Sequence, residues 1–130
     1  MCEEICRDVD MLHPIARPAF AELLARLGAL HRSGKLPVEF RLYETFRSPL
    51  RQAYLMRSVL AAQPYESPHQ FGLAAELVVW SEGRWSWDSE HPWDRLEIEA
   101  DRAGLSIPVR WDRSTVVHPR WFILAEILTK

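Results

Sequence analysis

The chain has 130 residues, 48% hydrophobic and 26% charged, which is enough for one soluble domain, spanning 1–130, with a sizeable core. A formal charge of -2 excludes the basic footprint of a nucleic-acid or anionic-membrane binder. No apolar run is long enough to span a bilayer, and the acidic start Met1, Cys2, Glu3, Glu4 lacks the basic and apolar regions of a signal peptide.

Pro14 and Pro18 open a segment in which Phe20, Leu23, Leu24, Leu27 and Leu30 recur at helical spacing, and Gly34 can end it. Val38, Phe40 and Leu42 alternate with Glu39, Arg41 and Tyr43, which predicts a half-buried strand. Ser48 and Pro49 form an N-cap and first helical position for a helix reaching about Ala61, with Leu50, Tyr54, Leu55 and Val59 on its buried side. A proline-containing loop over 63–71 delivers His69. The apolar run Leu73 to Trp80 then reads as a central strand covered on both faces.

Ser81, Glu82, Gly83 and Arg84 make a hairpin turn into Trp85, Ser86 and Trp87. Pro92 starts a further helix with Trp93, Leu96, Ala100 and Ala103 on one face and Gly104 as its terminator. Two short segments follow, Pro108 to Trp111 and Val116 to Ile123. Helices interleaved with strands on hairpin-length or irregular links predict an α+β fold, with a small antiparallel-rich sheet flanked by helices. Six tryptophans suit aromatic core packing or an aromatic-lined cleft, and core packing is the expectation. Cys2 and Cys6 read as free thiols, because no second Cys or His pair lies nearby.

His69 and Glu76 stand at the two ends of a glycine-permitted bend. A neutral imidazole and a carboxylate oxygen suit zinc, with His118 as a natural third ligand from an adjacent strand. The alternatives are a Glu76 that faces solvent or pairs with Arg47, and a His118 that is a satisfied core histidine. Arg47, at a strand-to-helix turn, could present its guanidinium fork to a substrate carboxylate or carbonyl, or be an ordinary surface arginine. His13, His31 and His91 sit at helix ends and read as structural or solvated.

Ser67-x-His69-x-x-Gly72-x-Ala74-x-Glu76 resembles the S-x-H-x-x-G-x-A-x-D signature of the zinc D-Ala-D-Ala carboxypeptidase and L-alanyl-D-glutamate endopeptidase family. Three further stretches follow in that family's order: Phe46-Arg47-Ser48-x-x-x-Gln52, Ala103-Gly104-Leu105 with Trp111, and Val117-His118-x-x-Trp121-Phe122. The resemblance runs from about Leu12 to Ile127 and implies the Hedgehog/DD-peptidase fold. It implies His69, Glu76 and His118 as Zn2+ ligands, Arg47 as the substrate-binding arginine, and Ser67 and Gln52 as supporting hydrogen bonders. The implied partners are peptidoglycan stem peptides, met as an endolysin or cell-wall hydrolase. The other implied role is an inactive component of a phage particle bound to phage structural proteins. Without a signal peptide, either would be made in the cytoplasm and act at the wall or within the particle.

Two departures stand out. Glu76 replaces the family's Asp, and Thr115 occupies the place of the Asp or Glu that serves as general base. General acid–base help is worth about 10²–10⁴-fold, and threonine cannot supply it at neutral pH. The residues therefore predict a peptidase-like domain with reduced or lost activity.

Overall fold

A computed structural model describes residues 5–56 and 68–128. After a short 3-10 turn at Val9–Met11 comes helix α1 (Arg17–Arg32), then strand β1 (Glu39–Glu44) and helix α2 (Pro49–Met56). A second 3-10 turn, Pro68–Phe71, leads into strand β2 (Ala74–Ser81) and strand β3 (Arg84–Ser86). Helix α3 (Trp93–Arg102), strand β4 (Thr115–Val117) and helix α4 (Trp121–Leu128) complete the order. The fold is α+β, and every strand pairing is antiparallel.

β2 is the centre of the sheet. One edge pairs with β1 along its length, while the other is shared by β3 at its end and β4 at its start. This explains the unbroken apolar run: Ala74, Ala75, Leu77, Val78 and Val79 are all buried, so neither face of the strand meets water. On one face, Ala75, Leu77 and Val79 pack with Phe20, Leu23 and Leu27 of α1 and with Trp93, Leu96 and Ala100 of α3. Burying each large apolar side chain there contributes about 1.5–3 kcal/mol.

Several local signals act as expected. The Ser48 Oγ accepts the Arg51 amide at 3.1 Å, the N-cap bond that starts α2. Glu82 and Gly83 both take positive φ, 52° and 77°, as a two-residue hairpin turn twisted to match its strands requires. Other expectations need correction. Leu50 and Tyr54 are 58% and 44% exposed, so the face of α2 that they mark is not its buried side. The apolar spacing of α2 says which residues share a stripe and not what covers it. The Leu55 side chain, Val59 and the expected continuation to Ala61 lie outside what is described. The segment expected from Val116 to Ile123 is divided: β4 stops at Val117, and α4 begins at Trp121.

Gly72 sets the approach to β2. Its φ is +68°, and a Cβ there would lie 2.6 Å from the His13 backbone nitrogen, whose N–H donates to the Gly72 carbonyl at 2.9 Å. Gly72→Ala is therefore expected to cost about 2–4 kcal/mol through strain and overpacking. Gly34→Ala, at φ +77° with open space around it, is expected to cost about 1 kcal/mol. Thermal melts of the two variants against the parent check the difference, and equal losses would rule out the close approach as its cause.

Candidate functional site

Glu76 sits on β2 with its neighbours Ala75 and Leu77 turned into the core, so the pleat sends it to the opposite face with Val78 and Trp80. Regular pairing with β1 would set Tyr43 against it. The register slips between Leu42 and Glu44, and this bulge brings Glu44 opposite Glu76 instead. On the other side Thr115 of β4 is the direct partner of Glu76. Burial pushes the Glu76 carboxyl up to about 7, and the Asp112 and Glu44 carboxylates push the same way. The Arg47 cation and the nearby N–H of the Trp87 side chain oppose that shift in part.

Glu44 is only 2% exposed and is held by two arginines. Arg47 donates to its Oε1 at 2.8 Å and Arg51 to its Oε2 at 3.0 Å. The ion pair of Arg47 is thus with Glu44, not with Glu76. The Arg47 amide also donates to the His69 carbonyl at 2.9 Å, which fastens the His69 turn to the start of α2. Arg47, His69 and Glu76 consequently share one neighbourhood, since the Arg47 cation acts on both of the other groups.

His69 is buried, and its pKa falls to about 3, first through desolvation and then through Arg47, with a hydrogen bond to the Thr45 backbone opposing. It is a neutral imidazole at any ordinary pH. His118 lies just beyond β4, where its amide donates to the Leu73 carbonyl at 2.8 Å. Desolvation, then the nearby Arg120 cation, also lowers the His118 pKa. Its Nδ1 accepts the Arg120 amide at 3.1 Å, which leaves the proton of the neutral ring on Nε2. Histidine can ligate through either ring nitrogen, and Nδ1 is here the one without a proton, already turned to the Arg120 amide.

Among the described residues, no three His, Cys, Asp or Glu side chains form a group that could hold a metal ion. His69 and Glu76 suit zinc in kind, a neutral imidazole and a carboxyl, but with His118 they do not form a three-ligand group as arranged. Ser67 lies outside the described residues, as does the side chain of Gln52, whose backbone belongs to α2.

Thr115 donates to Asp112 Oδ2 at 2.6 Å, and the Ser114 hydroxyl donates to Oδ1 at 3.2 Å. The position expected to hold a base therefore carries a hydroxyl that orients a different carboxylate. Glu44 was not singled out by sequence reasoning, and Asp112, like Asp88, offered itself only as a carboxylate that could swing in from a flanking loop, with no spacing argument behind it. The signal for Asp112 was its place three residues before Thr115. For Glu44 it was a carboxylate continuing the buried alternation of Phe40 and Leu42. His13, His31 and His91 are local: the His13 Nδ1 accepts the Ile15 amide, His31 bonds the Leu36 carbonyl, and His91 bonds the Ser86 hydroxyl. Cys6 is a free thiol, while Cys2 lies outside the described residues.

No family model and no curated protein matches the chain. Solved structures do. The L-Ala D-Glu endopeptidase ChiX of Serratia marcescens superposes with a TM-score of 0.66 at 18% identity, over 88% of this chain and 86% of its own. This chain has the Hedgehog/DD-peptidase fold. The LD-carboxypeptidase LdcB, solved to explain peptidoglycan recognition, gives a TM-score of 0.61 at 19% identity, over 89% of this chain and 71% of its own. The L,D-carboxypeptidase DacB from Streptococcus pneumonia gives 0.59 at 18% identity, over 89% and 72%. The Hedgehog/DD-peptidase architecture therefore extends across nearly the whole chain, with β2 at its centre.

Two of the shifted groups, His69 and Glu76, act on stability in opposite directions. Below its ordinary 6.5, His69 takes a proton only when unfolded, so stability is lost as pH falls from 6.5 toward about 3. Glu76 holds a proton when folded from its ordinary 4.5 up to about 7, so its contribution is complete below 4.5 and lost as pH rises through 7. Glu76→Gln is expected to gain about 1–3 kcal/mol on the parent between pH 5 and pH 8. Urea titrations at both values check this, and parallel pH profiles would refute it.

Proposed function

We propose that this chain is a cell-wall-directed, peptidase-fold domain that engages peptidoglycan stem peptides and hydrolyses them weakly or not at all. The fold shared with an L-Ala D-Glu endopeptidase and two L,D-carboxypeptidases supports the direction toward stem peptides. The observation that carries the loss of hydrolysis is the Thr115–Asp112 bond at 2.6 Å, where a free carboxylate is needed.

Peptide hydrolysis needs a group that takes a proton from water and returns it to the leaving amine. A threonine hydroxyl that donates to Asp112 cannot take that proton at neutral pH. Polarising the scissile carbonyl needs uncommitted positive charge, and Arg47 is matched to Glu44 at 2.8 Å. Zinc would supply carbonyl polarisation and an activated water when bound, but His69, Glu76 and His118 do not form a three-ligand group as arranged. The chain retains the means to hold a peptide: a half-buried carboxyl at Glu76, protonated up to about pH 7, can donate to a peptide carbonyl and accept from a peptide amide.

The purified chain is expected to sediment with peptidoglycan and to release new amino groups at least about 100-fold more slowly than an active wall peptidase. After equilibration with micromolar zinc and desalting, metal analysis is expected to find substoichiometric zinc. One tightly held zinc per chain together with rapid amino-group release would overturn the loss of activity. Failure to sediment would overturn the wall-directed reading.

A further inference from the structure

The expectation that the tryptophans pack the core holds for a minority of them. Trp93 belongs to the core and Trp121 packs against it, whereas Trp80, Trp85, Trp87 and Trp111 do not. Trp87 is 48% exposed and Trp111 91% exposed. An indole left in water forgoes one of the largest apolar burials any side chain offers, so two of them beside one cavity call for a ligand.

Trp87 and Trp111 line a cavity of about 280 Å³, with Trp93, Ser89, Arg110 and Asp112 also on its wall. Trp93 is fixed there by the bond from its Nε1 to the Asp88 carbonyl at 2.9 Å. The wall carries charges of both signs in similar number: Arg110 and Asp112 line it, and Arg113, also on it, pairs with Asp94. A ligand with strong charge of either sign gains little here. One with an apolar ring face and a rim of hydroxyl or amide groups uses both the indoles and the polar edge. Two residues of its wall, Trp87 and Asp112, also lie near enough to Glu76 to act on its carboxyl.

We propose that this cavity is a saccharide subsite for an N-acetylhexosamine ring of a glycan strand, stacked against Trp111 and Trp87 with its hydroxyl or acetamido groups on Arg110 and Asp112. The choice of sugar rests on the wall-directed reading given above. The choice of a saccharide rests on the indoles and the compensated charge. A glycan at this cavity and a peptide beside Glu76 would be bound side by side, so the two sites together would read a sugar–peptide junction.

The test is titration of the chain with a β-1,4-linked N-acetylglucosamine tetramer, followed by tryptophan emission and by calorimetry. The expected result is saturable binding, at least 10-fold weaker in Trp111→Ala and largely kept in Trp111→Phe, with unchanged melting temperatures because the residue is exposed. Absence of saturable binding to the parent chain, or Trp111→Ala binding as well as the parent, overturns the subsite. A sugar-free stem tetrapeptide separates the two proposals. If the tetramer binds and the peptide does not, the saccharide subsite stands and the stem-peptide reading falls; the reverse result overturns the subsite alone.

Discussion

The structure turns on a strand that is covered on both faces and nevertheless carries a carboxyl group. β2 pairs on both edges and buries five apolar residues, so its geometry leaves little water for Glu76. Moving an ionised carboxylate into such surroundings is costly unless a cation or metal answers it. Here the neighbours that the sheet supplies are themselves acidic, Glu44 on one side and Asp112 beyond Thr115 on the other. Glu44 is met by two arginines and Asp112 is held by two hydroxyls that leave its charge in place, so Glu76 keeps its proton up to about pH 7.

A second buried carboxylate shows what a purely structural solution looks like in the same chain. Glu99, 2% exposed on α3, is met by Arg102 at 2.9 Å, by Arg95 at 3.5 Å and by Arg26 of α1 at 3.7 Å. That cluster ties the two core helices together, and its cationic partners reach solvent. Glu76 has instead a nearby indole and an arginine committed elsewhere. Perturbed carboxyls of that kind gather where a fold once did, or still does, chemistry.

Much of this fold is legible in the sequence because its signals are local. The apolar run of β2, the Ser48 cap, the hairpin at Glu82 and Gly83 and the helical spacing of α1 each dictate their own conformation. The arrangement of the site is less legible because it depends on register. A single bulged residue between Leu42 and Glu44 decides whether a tyrosine or a carboxylate faces Glu76, and no pattern within β1 marks it. The tautomer of His118 is equally hidden, since it follows from a backbone amide two residues on, presented by the turn before α4. Exposure of Leu50 and Trp111 was illegible for a related reason: composition identifies a large apolar side chain but not the absence of a neighbour.

The nearness of Trp87 to Glu76 has a consequence outside binding and stability. It sets a half-exposed fluorophore near a carboxyl whose pKa burial pushes up to about 7. Loss of that proton would put a negative charge near the indole and change the field across its ring. The emission of Trp87 is thereby expected to report the electrical state of the central strand, with no label attached.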